Sequence, residues 1–221
     1  IGKAPASAIL MDCSTIDVAT AREEIGKAAA AGYAMVDAPV SGGIAAAEAG
    51  TLTFMVGGTD EAFARAEPLL AQMGKAVIHA GAAGSGQAAK ICNNMLLGVT
   101  MTGTCEAFAM AKKLGLDLQT FYDISSKASG QSWSMTSYCL VPGVGPETPA
   151  DRDYDGGFAA ALMLKDLRLA MEAAQSVDAY TPMGAEAETL YSRFAEALGG
   201  GNKDFSAIIK MIDDSWTLPA S

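Results

Sequence analysis

The chain has 221 residues, 15 of them basic and 25 acidic, for a formal net charge of −10; half of its residues are hydrophobic and 18% are charged. That length buries the core of one large domain or two modest ones, and the acidic balance, with no basic cluster larger than Lys112-Lys113, argues against a nucleic-acid partner. Four cysteines without CxxC spacing (Cys13, Cys92, Cys105, Cys139) and a single histidine, His79, offer neither a metal site nor a Ser-His-Asp or Cys-His nucleophile.

So thin a charged surface points to an apolar face covered by a second copy, a homo-oligomer of dimer or tetramer type. The charge-free run from Ile91 to Cys105 is too short to span a bilayer, and no secretory signal opens the chain. The expectation is a soluble protein of the reduced cytoplasm. Residue 1 is Ile and a strand follows within a few residues, so the natural start is expected upstream.

In chain order, strands are expected at Ala8–Asp12, Tyr33–Asp37, Leu52–Val56 and Ala76–His79, each short, apolar and bounded by Gly, Ser or Pro. Helices are expected from about Asp17 to Ala31, stopped by Gly32, and after Thr59, with Asp60 and Glu61 in the first turn. The glycine-rich stretch Ala80–Gly86 marks a boundary, after which the pattern is helical: Gln87–Leu114 ended by Gly115, another from Asp117, then Ala159–Gln175, Pro182–Leu198 and Asp204–Ile212. Trp133–Gly157, with three prolines before residue 150, reads as a long loop. The fold expected is α/β at the front, residues 1–83, followed by an all-helical domain, residues 84–221, built on one long helix.

Gly84-Ser85-Gly86-Gln87-Ala88-Ala89-Lys90-Ile91-Cys92-Asn93-Asn94 places an ammonium and a carboxamide one helical turn apart. Apolar helix surrounds them, so Lys90 would emerge from a dry surface, where a lysine pKa falls toward a useful range. A snorkelling surface lysine beside a core-bonded Asn94 is the plainer alternative. Asp37 to Gly43 leaves a strand end, and Ser41 with Gly42 and Gly43 can turn backbone N–H groups toward a carboxylate or form an ordinary turn. Asp12-Cys13-Ser14-Thr15 leaves another strand end, where α/β sheets bind ligands and where a helix cap serves equally well. Phe158 and Lys165 are seven residues apart, two turns of one helix face, with Asp166 adjoining; an exposed ion pair is the alternative. His79 closes a strand and reads as structural.

These motifs in this order resemble the β-hydroxyacid dehydrogenases. The resemblance runs through Asp12–Asp17, Asp37–Gly43, Leu52–Gly58, Gly86–Asn94 and Gly156–Leu167, and Trp133-Ser134, Val141–Val144 and Lys203–Ser206 are similar to the branch acting on 3-hydroxyisobutyrate. It implies a Rossmann-like domain followed by a helical domain of the 6-phosphogluconate dehydrogenase type, with NAD as cofactor. It implies oxidation of 3-hydroxyisobutyrate to methylmalonate semialdehyde, a step of valine breakdown. By the same resemblance Lys90 is the catalytic acid/base and Asn94 its substrate-positioning partner. Ser41, Gly42 and Gly43 bind the substrate carboxylate, Thr15 lies near the nicotinamide, and Phe158, Lys165 and Asp166 contact the cofactor. A tartronate semialdehyde or glyoxylate reductase, and a catalytically silent helical binding subunit, are the alternatives. The chain departs from the family at Val18, where proline is frequent, and in lacking the G-x-G-x-x-G turn that opens the dinucleotide fold. It is therefore expected to be inactive as it stands, a family member without the front of its Rossmann domain.

Overall fold

A computed structural model describes residues 3–5 and 7–214. The chain divides into two compact units, Ile1–Asn93 and Asn94–Ser221.

The first unit is α/β. Its strands are β1 (Ile9–Asp12), β2 (Ala34–Asp37), β3 (Val40–Ser41), β4 (Leu52–Gly57) and β5 (Gly74–Gly81). They form one sheet in the order β1-β2-β4-β3, with β5 also paired to β4. β1 runs parallel to β2 and β4 parallel to β5, while β4 meets β2 antiparallel through the single pair Asp37 and Gly57. β3 escaped the sequence reading because it is only two residues long and follows Pro39; it pairs antiparallel with β4, Ser41 opposite Thr53. The helices are α1 (Val18–Ala30), α2 (Gly43–Glu48) and α3 (Asp60–Leu70). Side-chain caps start α1 and α3: Asp17 accepts from Thr20 N at 2.8 Å and Thr59 from Ala62 N at 3.1 Å. Gly32, at φ 82, ends α1 in a conformation that only glycine adopts without strain. The core is Val36, Phe54, Val56, Ala66 and Leu70, whose larger side chains each contribute about 1.5–3 kcal/mol of burial.

Helix α4 (Ser85–Lys113) carries the chain from the first unit into the second. Its 29 residues extend roughly 44 Å at 1.5 Å per residue. Thr100, Thr102 and Thr104 return their hydroxyls to carbonyls one turn back, and Thr100 also meets the Ser134 hydroxyl at 3.3 Å.

The second unit is helical: α5 (Leu118–Ser125), α6 (Trp133–Thr136), α7 (Ala160–Ser176), α8 (Pro182–Ser192) and α9 (Ile209–Ile212). A π-turn, Arg193–Ala197, follows α8, and a 3-10 turn, Phe205–Ile208, precedes α9. Its core gathers Met101, Phe108, Leu140, Met163, Leu167, Tyr191, Phe194 and Ile208. The segment Trp133–Gly157 is not wholly loop, as expected from its prolines. Ser132 caps α6, and Thr148 with Asp151 forms a capping box on a 3-10 turn at Pro149–Arg152, so its glycines and prolines connect short helical pieces. No helix among the described residues is long and apolar enough to cross a membrane.

Candidate functional site

In the first unit, Lys90 is buried on α4 with 8% of its surface exposed. One turn earlier lies Gln87, fully buried, whose carboxamide is used at both ends: Nε2 donates to Ser14 O at 2.7 Å and Oε1 accepts from Ile16 N at 3.1 Å. Thr15, between those two anchors, is thereby held at the C-terminal end of β1. Asp12 tightens the same turn by accepting from Ser14 N at 2.9 Å.

The start of α4 is fixed by a second long-range group. Asp37, at the end of β2 and 1% exposed, accepts from Gly84 N through Oδ1 and from Gln87 N through Oδ2, both at 2.8 Å. A carboxylate here satisfies donors that have no intrahelical partner and lies at the positive end of the helix dipole. The approach requires glycine at 57 and 86: a Cβ on Gly57 would run into Asp37 Oδ1, and one on Gly86 into Met55 O. Gly84-Ser85-Gly86 is thus a seat for a protein carboxylate.

Ser41 ends β3, and Gly42 and Gly43 follow at φ 130 and 66, both exposed. Gly42 caps α2 without a side-chain bond, leaving the helix's first N–H groups at the surface by Ser41. His79 is held as a structural group: it stacks on Phe63 with ring centroids 4.5 Å apart, and its Nε2 lies 3.0 Å from Gly58 O.

In the second unit, Asn94 is 2% exposed and its Nδ2 donates to Asp166 Oδ2 at 2.5 Å. Asp166 is also 2% exposed, and its Oδ1 is 3.1 Å from Lys165 Nζ. The adjacent pair is therefore not an exposed ion pair, because Asp166 lies on the core face of α7 while Lys165 reaches out. Phe158 does not share a helix face with Lys165. α7 starts only at Ala160, and Phe158 is held in the preceding bend, where its N–H donates to Asp204 Oδ2 at 2.8 Å and its carbonyl accepts from Phe205 N at 2.8 Å. Asp204, fully buried, also accepts from Tyr138 Oη at 2.8 Å and from the Ser206 N–H and hydroxyl, at 3.0 and 2.5 Å. Burial pushes its carboxyl above the ordinary value, against the lowering effect of those hydrogen bonds. Tyr138 in turn stacks against the half-exposed ring of Trp133 at 4.8 Å.

Sequence reasoning had assigned no role to Asp37, Gln87 or Asp204. Gln87 carried a readable signal, since it stands three residues before Lys90 and shares its face. No group of three His, Cys, Asp or Glu among the described residues is placed to hold a metal ion.

Residues 84–212 match the family model described as the NAD-binding domain of NADP-dependent 3-hydroxyisobutyrate dehydrogenase, and residues 1–81 match the NAD binding domain of 6-phosphogluconate dehydrogenase. A 3-hydroxyisobutyrate dehydrogenase of Pseudomonas aeruginosa is 50% identical over 92% of this chain and 68% of its own length. An NAD-dependent L-serine dehydrogenase of the same organism is 49% identical over 93% of this chain and 68% of its own length. The solved structure of Mycobacterium tuberculosis 3-hydroxyisobutyrate dehydrogenase with L-serine has a TM-score of 0.89 at 45% identity, covering 95% of this chain and 71% of that one.

Proposed function

This chain belongs to the β-hydroxyacid dehydrogenase family, and on that premise we propose that it carries the proton-transfer and substrate-binding part of an NAD-dependent oxidation of a short 3-hydroxy acid, 3-hydroxyisobutyrate to methylmalonate semialdehyde. It is an oxidoreductase of the 3-hydroxyisobutyrate dehydrogenase type, with NAD as its cofactor. The observation that carries the reading is Lys90, an ammonium held only 8% exposed on α4 and one helical turn before Asn94. When bound, the nicotinamide supplies the hydride acceptor. Lys90 holds the proton given up by the substrate hydroxyl, and in reverse its ammonium donates to the carbonyl oxygen. Asn94 orients that oxygen, and Asp166 holds the Asn94 amide. Ser41, Gly42 and Gly43 take the substrate carboxylate, Thr15 faces the nicotinamide, and Phe158 and Lys165 contact the cofactor.

Residues 1–83 are the dinucleotide domain in this reading, and residues 84–221 the helical substrate and dimerisation domain of a cytoplasmic homo-oligomer. L-serine, itself a 3-hydroxy acid, is a second candidate substrate because a relative 49% identical bears that activity in its name. The 221 residues by themselves are proposed to be inactive, since they carry no G-x-G-x-x-G turn and the glycine turn that opens α4 is filled by Asp37. Calorimetry on the chain should show no micromolar NAD binding. The chain extended ahead of residue 1 by a G-x-G-x-x-G βαβ unit should oxidise 3-hydroxyisobutyrate, and Lys90→Ala in it should lower kcat by about 10²–10⁴ with NAD affinity unchanged. Near-normal kcat in that variant would overturn the assignment.

A further inference from the structure

Gln87 lies outside the roles assigned above, yet it ties the turn that carries Thr15 to the helix that carries Lys90. Its carboxamide spans the turn after β1, one end on Ser14 O and the other on Ile16 N. Its own backbone N–H is fixed by Asp37 Oδ2 at 2.8 Å. A fully buried amide whose donor and acceptor both meet main-chain groups, 71 and 73 residues away in sequence, has a single orientation. Reversing it would set donor against donor and acceptor against acceptor.

We propose that Gln87 is a positioning residue of the reaction site, a clamp that holds the Ser14–Thr15–Ile16 turn against the first turns of α4 and so sets Thr15 and Lys90 at a constant separation. The proposal rests on the reading that Thr15 faces the nicotinamide and Lys90 the reacting oxygen. The clamp touches neither reacting group; it acts through the turn it holds. Both anchors are backbone atoms, so substitution at position 87 removes the clamp while leaving the Asp12 bond to Ser14 N within the turn. Glutamate is isosteric but places a second acceptor against Ser14 O, and asparagine is one methylene too short to span Ser14 O and Ile16 N together. The two substitutions break the clamp by different means, one electrostatic and one geometric.

The test takes Gln87→Glu and Gln87→Asn. In the 221-residue chain, amide exchange at Ile16 should accelerate at least tenfold in both variants, while exchange in the core strand β4 stays as it was. In the chain extended by a G-x-G-x-x-G unit, kcat should fall about 10²-fold, the cost of a misplacement near 1 Å. The isotope effect on kcat with substrate deuterated at the carbinol carbon should rise, because misalignment makes the hydride step slower relative to release. A purely structural glutamine would leave that isotope effect alone. Unchanged exchange at Ile16 overturns the clamp, and wild-type kcat and isotope effect in both variants overturn its part in the reaction. Lys90→Ala in the same protein separates the two readings. Full activity there refutes the site assignment itself, with Ile16 exchange still deciding the clamp, whereas lost activity there beside active Gln87 variants refutes only the role of Gln87.

Discussion

Replacing Asp37 by asparagine should destabilise the first unit by about 3 kcal/mol, although the two side chains have nearly the same shape. Each of its two bonds to backbone N–H groups, at 2.8 Å to Gly84 and Gln87, is a charge-assisted bond of about 1.5–3 kcal/mol, and the negative charge at the start of α4 adds up to about 2 kcal/mol. Asparagine keeps one acceptor but turns an NH₂ toward the other N–H, so one bond is lost, the second loses its charge, and a buried donor faces a donor. At 2–4 °C per kcal/mol for a chain of this size, the melting midpoint should drop roughly 6–12 °C. Asp117→Asn is the control: Asp117 caps α5 from an exposed position, and asparagine caps nearly as well. Thermal melts by circular dichroism compare the two variants, and amide exchange at Gly84 and Gln87 localises the effect. An Asp37→Asn midpoint no lower than that of Asp117→Asn would refute the argument that this carboxylate anchors the helix.

Asp166→Ala should lower kcat about 10²-fold in the extended enzyme, because the Asn94 amide loses the oxygen it donates to at 2.5 Å; steady-state kinetics giving wild-type kcat would show that Asn94 is oriented by other groups. The raised carboxyl of Asp204 means that the folded state binds its proton more tightly than the unfolded state. Its contribution to stability is therefore fully present below the ordinary carboxylate value and is lost as pH rises, from about pH 4, through the higher folded value. Melts across that range should show the wild type losing ground to Asp204→Asn as pH rises, and parallel curves would count against it.

Much of the local structure was legible because its causes are local. Asp17, Thr59 and Asp117 cap helices within three residues of themselves, Gly32 stops α1, and runs such as Leu52–Val56 carry the apolar, β-branched and aromatic character of a buried strand. The spacing of Lys90 and Asn94 on a long helix was equally plain, since a helix of 3.6 residues per turn sets it. Phe158 was misread for the opposite reason: a seven-residue interval has meaning only if the helix reaches that far, and α7 begins after Phe158, whose N–H and carbonyl are taken by Asp204 and Phe205.

The family and its reaction class were fixed by residues contiguous in sequence, whereas the anchors of the site came from tertiary structure alone. Asp37 meets Gly84 and Gln87 across 47 and 50 residues, Gln87 meets Ser14 across 73, Asn94 meets Asp166 across 72, and Asp204 meets Tyr138 across 66. Periodicity shows which face of an element is apolar but carries no information about which buried polar group will find which partner. That choice is made only when packing removes water, because an unpaired donor or acceptor then becomes costly and the chain settles where each has a partner.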